Sequence, residues 1–167
     1  EYRRQRQMCI RDRFLDVFLP EVGFLALLLS LGVNVLTPLT AFAGVRLRWP
    51  AMMRLTCIGI LAQFALLLLA FGVLTYCFLI SDFSVIYVAQ HSYSLLSWEL
   101  KLAAVWGGHE GSLLLWVLLL SAWSALFAWH YRQQTDPLFP LTLAVLSLML
   151  AALLPVSYTH LTLPTIL

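Results

Sequence analysis

The segment Trp106–Trp116, WGGHEGSLLLW, places a histidine and a carboxylate among three glycines at the start of an apolar run. An adjacent His-Glu pair fits a metal site, an acid–base pair, or the polar mouth of a membrane helix. The zinc signature HExxH needs a second histidine four positions after the first, on the same helical face. Leu113 occupies that position, so the sequence excludes this signature.

A second candidate pairs His91 with His109 as two ligands of an iron centre, since imidazole binds iron well. The favoured alternative is a pair of ordinary loop histidines that hydrogen-bond to water or to the backbone. Trp116 and Trp123 lie seven residues apart and share one helical face. They could line an aromatic groove for a cofactor, although a packed helix seam is favoured. The sequence identifies no catalytic residue and no metal ligand.

The glycines at positions 107, 108 and 111 allow positive φ and a close approach of the backbone to a ligand. Ser112 is expected to cap the N-terminus of the next helix, and such an N-terminus attracts anions, including a ligand's carboxylate. The alternative is a tight turn that only caps the helix. Asn34 and Gln63 lie within apolar runs, where polar side chains usually tie helices together.

The composition is that of a membrane protein, because 62% of residues are hydrophobic and 11% are charged, against roughly 45–50% and about 25% in soluble domains. A run of about 20 apolar residues spans the ~30 Å hydrocarbon core, and such a run must be helical. We therefore expect an all-α, polytopic membrane protein with about four transmembrane helices, at about 22–45, 55–81, 111–130 and 138–155.

Both ends of the chain differ from the rest. One short DNA sequence encodes Arg3–Asp12 (RRQRQMCIRD), and its complementary strand encodes Val156–Thr165 (VSYTHLTLPT). This DNA resembles a sequencing adapter, so residues 1–13 and 156–167 are expected to be non-native and 14–155 to be the protein's own sequence. The alternative is a basic arm that binds nucleic acid or acidic lipid.

The expected native region carries no basic excess. Five basic residues stand against six acidic ones, which gives 5 − 6 = −1 instead of the +2 of the whole chain, and we expect no nucleic-acid partner. Its two cysteines, Cys57 and Cys77, lie inside one apolar run, where they are expected to pack as small apolar residues.

The distribution of arginines predicts the orientation, since Lys and Arg are retained on the cytoplasmic side. The first connection carries three arginines and no acid, whereas the connection 82–110 holds three acids and one lysine and belongs outside. Aromatic rings in that outer connection are typical of a membrane–water interface. Within it, Ser94–Val105 fits a short amphipathic helix on the outer surface.

Three blocks together resemble the CcmF/NrfE family of haem lyase subunits in bacterial cytochrome c maturation. They are PEVG at Pro20–Gly23, DFSVIYVAQ at Asp82–Gln90 and LAAVWGGHEGSLLLWVLLLSAW at Leu102–Trp123. The resemblance covers essentially all of Pro20–Pro155, and its specific part is WGGHEGSLLLW. The run QHSYS at Gln90–Ser94 departs from the family's usual pattern.

The resemblance implies a multi-pass inner-membrane protein of bacteria whose amino terminus and loop 82–110 are periplasmic. Such a protein takes haem from a periplasmic haem chaperone and joins its vinyl groups to the thiols of a CxxCH motif in apocytochrome c, together with other maturation subunits. The family's tryptophan-rich haem motif and its flanking histidines lie beyond Pro155. Haem is therefore the implied cofactor, but its ligands are expected outside this chain, which alone is not expected to catalyse the reaction.

The candidate site consists of the family-motif loop and of residues that could face haem or a partner. The loop comprises Trp106, Gly107, Gly108, His109, Glu110, Gly111, Ser112 and Trp116, and the facing residues are His91, His109 and Trp123.

Two other functions compete with this prediction. One is a multi-span transporter or proton-pathway subunit in which His109 and Glu110 relay protons, and the other is a non-catalytic membrane scaffold. A transporter should carry ionisable residues within its spans, whereas every Asp, Glu, Lys and Arg of 14–155 lies at or outside a span boundary. The pattern therefore favours the haem lyase subunit over the transporter.

Overall fold

The computed structural model describes the backbone of residues 2–82, 85–92, 96–131 and 138–162, and the side chains of 18–82, 85, 87–92, 96–130 and 138–155. Within these ranges the chain forms helices and turns and no strand. The helices are α1 (Tyr2–Arg46), α2 (Pro50–Ile80), α3 (Ile86–His91), α4 (Trp98–Gly107), α5 (His109–Tyr131) and α6 (Leu138–Thr162).

Four of these helices contain segments that are long and apolar enough to cross a membrane. The segments are Phe18–Arg46, Pro50–Ile80, His109–His130 and Leu138–Pro155. At about 1.5 Å per residue, the 22 residues of the third segment rise about 33 Å, which matches the ~30 Å hydrocarbon core. The predicted fold class, an all-α polytopic membrane protein with about four spans, is confirmed.

The four long helices form a ring that is closed by contacts between neighbours, and α2 also contacts α6 across it. Helix α1 contacts α2 and α6, and α5 contacts the same two helices from the other side. A tight turn joins α1 to α2, with Arg48 in the left-handed region (φ 50°) and Pro50 at the start of α2. We call this end of the bundle the turn end, and the opposite end, where α2 ends and α5 begins, the junction end.

Two apolar clusters fill the inside of the ring. The cluster near the junction end contains Leu67, Leu114 and Leu150 among its buried residues, and the cluster near the turn end contains Ile60, Ala125 and Leu143. Each cluster draws residues from α2, α5 and α6, so the helices keep one pairing over their whole length. The two cysteines whose side chains the structure describes lie within α2; Cys77 is buried, and Cys57 is half-buried.

The outer connection folds into two short helices at the junction end. Helix α4 packs against α2 and α5, and α3 contacts α4. The predicted amphipathic helix begins later than expected, at Trp98 after Ser97; Ser94 lies outside the described residues. Lys101 of α4 donates a hydrogen bond to the hydroxyl of Ser81 at the end of α2, which attaches the short helix to the bundle.

Candidate functional site

Tyr87 of α3 is buried where α2, α4 and α5 meet, with 5% of its surface exposed. Its ring packs edge-on against Phe78 of α2, with 5.4 Å between the ring centroids. Val88 and Val105 complete the same cluster and are fully buried. These apolar contacts place the phenol oxygen between α4 and α5.

The Tyr87 hydroxyl joins the end of α4 to the start of α5. It donates a hydrogen bond to the carbonyl oxygen of Val105 over 3.1 Å and accepts one from the backbone N–H of Gly111 over 3.2 Å. The last carbonyls and the first N–H groups of helices have no partner within the helix. One side chain therefore pairs a group at each of two helix ends, and we call this arrangement the Tyr87 junction.

The junction explains why two of the three motif positions are glycine, because it leaves no room for a Cβ there. A Cβ at Gly108 would lie 2.6 Å from the Tyr87 hydroxyl oxygen and 2.9 Å from Nε2 of His91, and one at Gly111 would overlap the Val105 carbonyl oxygen. None of the described glycines has positive φ, so Gly108 and Gly111 serve the close approach of neighbouring groups rather than a left-handed backbone. A Cβ at Gly107 would meet nothing within 4 Å.

Helix α5 begins at His109, four residues earlier than an N-cap at Ser112 requires. The backbone N–H of Ser112 donates to the Gly108 carbonyl over 3.1 Å, which is the helical pattern, so Gly108 occupies the capping position. The Ser112 hydroxyl donates to the His109 carbonyl over 2.8 Å. The prediction that Ser112 is the N-cap is therefore wrong, because the extended backbone at Gly108 already separates α4 from α5.

His91 lies against the junction although its side chain is largely exposed. Its ring is 4.6 Å from that of Tyr87, centroid to centroid, and Nδ1 is 3.1 Å from the Tyr87 carbonyl oxygen. The other nitrogen, Nε2, faces Gly108 closely enough to exclude a Cβ there. His91 thus packs against Tyr87 and lies beside Gly108, with its Nδ1 next to a backbone carbonyl oxygen.

His109 and Glu110 open α5 on the wetter side of the junction. His109 is exposed and Glu110 is partly buried. Burial raises the pKa of the Tyr87 phenol above its ordinary value of 10.0; the backbone amides of Gly111 and Gly108 lower it in part, and the Glu110 charge adds to the rise. Tyr87 is therefore a neutral hydrogen-bonding group at physiological pH.

The motif tryptophans point away from the described helices. Trp106 is 47% exposed, Trp116 69% and Trp123 70%. The favoured helix seam therefore does not form between Trp116 or Trp123 and any described helix. The structure brings Gly108, Gly111 and His91 together around Tyr87, but it leaves the three tryptophans outside this group.

Sequence reasoning missed Tyr87 and Val105, which hold the junction together. By sequence alone, Tyr87 belongs with the aromatic residues of the outer connection that are typical of a membrane–water interface. The backbone carbonyl of an apolar residue such as Val105 carries no sequence signal. The available signal was the pairing of an isolated tyrosine with two glycines about one helical turn apart. Among the described residues, no group of three or more His, Cys, Asp or Glu side chains could hold a metal ion.

Comparison with known proteins shows what this chain is similar to. No family model matches the chain. It is 99% identical over 120 residues to the probable cytochrome c-type biogenesis protein NrfE of Escherichia coli, covering 72% of this chain and 22% of that protein. It is also 42% identical over 135 residues to the cytochrome c-type biogenesis protein CcmF of Pseudomonas fluorescens, covering 79% of this chain and 20% of that protein.

The chain belongs to the CcmF/NrfE family. A solved structure of the cytochrome c haem lyase CcmF superposes with a TM-score of 0.73 at 28% identity, covering 83% of this chain and 23% of that one. The chain thus spans about a fifth of the length of these relatives. The resemblance drawn from the three sequence blocks is confirmed.

Proposed function

We propose that this chain forms a membrane-embedded segment of a haem lyase subunit, which takes part in delivering haem and attaching it to apocytochrome c. The observation that supports this most is the 99% identity over 120 residues to a protein named for cytochrome c-type biogenesis. A periplasmic haem chaperone would supply the haem, and other maturation subunits would be its partners. Because the chain spans about a fifth of its relatives, the reaction belongs to the full-length protein.

The distribution of charge supports an inner-membrane orientation with the junction end in the periplasm. Arg46, Arg48 and Arg54 are all exposed at the turn end, and connections rich in arginine stay on the cytoplasmic side. The junction end, with Glu99 and Glu110, then faces the periplasm. Haem and apocytochrome c would meet at that face.

The junction would position a surface on α4. Trp98 and Trp106 are exposed there, by 65% and 47%, while Val105 of the same helix is anchored by the Tyr87 hydroxyl. Exposed aromatic residues in a fixed geometry are typical of binding surfaces. We assign this surface to contact with the haem-carrying partner or with apocytochrome c.

Haem, when bound, would supply the vinyl groups that react with the CxxCH thiols. The exposed His109 opens α5 outside the buried cluster. We expect His109→Ala to leave the yield of holocytochrome c unchanged in a full-length protein. A loss of yield at normal protein level would give His109 a role in haem handling.

The experiment uses a full-length NrfE whose corresponding segment carries this chain's residues, expressed in a strain without its own copy. The readout is covalent haem on the c-type cytochrome, measured by peroxidase staining after denaturing electrophoresis. The double variant Trp98→Ala/Trp106→Ala should lower holocytochrome c, while the amount of the subunit in the membrane stays the same. Trp49→Ala, at the opposite end of the bundle and 52% exposed, is the matched control.

Two results would count against the proposal in different ways. If the protein carrying this chain's residues supports no haem attachment while the original NrfE does, the haem lyase function is wrong for this chain. If Trp98→Ala/Trp106→Ala and Trp49→Ala behave alike, the surface assigned to α4 is wrong. The transporter alternative gains nothing from the relatives reported above, which are named for cytochrome c biogenesis.

We propose further that residues 14–155 are the native part of the chain and that 1–13 and 156–167 derive from adapter DNA. The two-strand coding relation between Arg3–Asp12 and Val156–Thr165 supports this. Trimming the adapter and reassembling the reads should remove both stretches. Their persistence in an independently cloned gene would contradict the proposal.

A further inference from the structure

The centre of the four-helix ring holds a layer of buried polar side chains between the two apolar clusters. Every long helix contributes to it, and each side chain is at most 1% exposed. We call this set the midplane polar layer; it consists of Ser30, Asn34, Gln63, Ser121, Ser124 and Ser147.

The layer lies at the middle of the spans. Asn34 lies near the centre of Phe18–Arg46, Gln63 near that of Pro50–Ile80 and Ser147 near that of Leu138–Pro155. The apolar clusters lie on both sides of this level: on α2, for example, Ile60 belongs to one and Leu67 to the other. Polar residues at this depth have no access to bulk water and are costly, which makes them candidates for a function.

The pairing of α1 with α2 places the two carboxamides at one level. A Cβ at Gly23 would meet Val73, and one at Gly59 would meet Thr37; Thr40 hydrogen-bonds to Thr56 over 3.1 Å. Continuing this antiparallel register places Asn34 opposite residues 62–63. The Ser147 hydroxyl donates to the Asn34 carbonyl over 2.9 Å, so α6 meets α1 at the same level.

The polar atoms at this level are largely unpaired. Both carboxamide atoms of Asn34, both of Gln63 and the hydroxyl of Ser30 are buried without a hydrogen-bond partner among the described residues. Each such atom costs about 1–3 kcal/mol when it is left unpaired. Five of them would cost on the order of 10 kcal/mol, which is as large as the whole stability of a typical protein. A ligand that both donates and accepts hydrogen bonds removes this cost.

We propose that the midplane polar layer is a water-binding site, in which internal water bridges the carboxamides of Asn34 and Gln63 and the hydroxyl of Ser30. Water both donates and accepts, as the unpaired atoms require, and a buried water molecule typically makes about three hydrogen bonds to such groups. No charged side chain lies in the layer, which suits neutral water better than an ion.

The test is water-to-protein magnetisation transfer, measured by solid-state NMR on the 167-residue chain in lipid bilayers. Asn34 is the only asparagine of the chain, so ¹⁵N-asparagine labelling gives one side-chain and one backbone signal without assignment. The side-chain nitrogen should receive magnetisation from water faster than the backbone nitrogen of the same residue, which lies in the interior of α1. Gln63→Met should reduce the side-chain transfer to about half or less, because one partner of the bridging water is lost.

Gln90→Met is the control, because Gln90 is an exposed glutamine outside the spans, and it should leave the transfer unchanged. Equal, slow transfer to both nitrogens would show a dry layer with directly paired carboxamides and would overturn the proposal. A transfer insensitive to Gln63→Met would overturn the bridging role of Gln63. A random-coil shift of the Asn34 backbone would show that the layer does not form, which also overturns it.

Discussion

The Tyr87 junction and the midplane polar layer treat buried polar groups in opposite ways. At the junction, one buried hydroxyl has both a donor and an acceptor from the chain itself. In the layer, Asn34 and Gln63 are buried with no such partners among the described residues. The difference follows from position along the helices. Helix ends offer free N–H and C=O groups, whereas in mid-helix every N–H is already paired. Only other side chains, water or a second bond to a carbonyl oxygen, as Ser147 makes to Asn34, remain there.

The chain alone determines the geometry of the junction, whereas the geometry of the layer depends on what fills it. The junction is held together by the chain's own hydrogen bonds and close contacts. A substitution that breaks one of these contacts should therefore destabilise the protein. The layer leaves its polar atoms to a ligand, so it should tolerate the replacement of those atoms by apolar ones. Substitutions in the two regions should therefore differ in size.

The largest effect is expected from Gly111→Ala. The new Cβ would overlap the Val105 carbonyl oxygen and the Tyr87 hydroxyl, so α4 and α5 would have to separate. We expect a loss of about 3 kcal/mol or more in the free energy of unfolding, since overpacking against backbone is among the costliest changes. Unfolding in mixed micelles of a mild detergent and dodecyl sulfate measures it.

Gly107→Ala is the matched control for this change. A Cβ at Gly107 would meet nothing within 4 Å, and the residue is the last of α4. It should therefore be neutral or stabilise the protein by about 0.5–1 kcal/mol, as alanine does over glycine in a helix. Similar losses for both variants would mean that the close contact at Gly111 does not hold the junction.

The next largest effect is expected from Tyr87→Phe. This change keeps the ring contacts with Phe78 but leaves the Gly111 N–H buried without its acceptor, which costs about 1–3 kcal/mol. Tyr76→Phe removes a hydroxyl from a tyrosine of α2 that is 51% exposed, and surface changes of this kind stay within about 0.5 kcal/mol. Equal stability of the two variants in the same unfolding assay would contradict the bridging role of Tyr87.

The sequence predicted the bundle well and the junction poorly, for physical reasons. Uncharged runs show where helices cross a membrane, because the bilayer leaves no other structure possible. The start of α5 was placed late, since the break at Gly108 depends on the Tyr87 hydroxyl rather than on a local cap. Trp116 and Trp123 share a face, as their spacing predicts, but spacing alone cannot show whether another helix covers that face.

A smaller effect is expected from the double variant Asn34→Leu/Gln63→Leu. The change removes four of the layer's five unpaired atoms and leaves only the Ser30 hydroxyl. Replacing buried polar partners together by apolar groups is close to neutral, so the stability should change by about 1 kcal/mol or less. Each single variant leaves the other carboxamide in the layer, so the two single losses should add up to more than the double loss, a coupling that a double-mutant cycle measures. If the double variant loses more than about 3 kcal/mol in the free energy of unfolding, Asn34 and Gln63 bond directly to other protein groups, as Tyr87 does at the junction. That result would contradict this prediction.

The smallest effect is the pH dependence of the junction, because it develops only at high pH. The folded protein holds the Tyr87 phenol neutral, with its pKa raised above the ordinary 10.0 chiefly by burial. In the unfolded chain the phenol ionises first, so the stabilisation is complete below pH 10 and declines as the pH rises towards the folded pKa. The unfolding midpoint should fall more steeply above pH 10 in the parent than in Tyr87→Phe. Parallel curves for these two proteins would show that folding does not raise the pKa of the Tyr87 phenol, which would contradict this prediction.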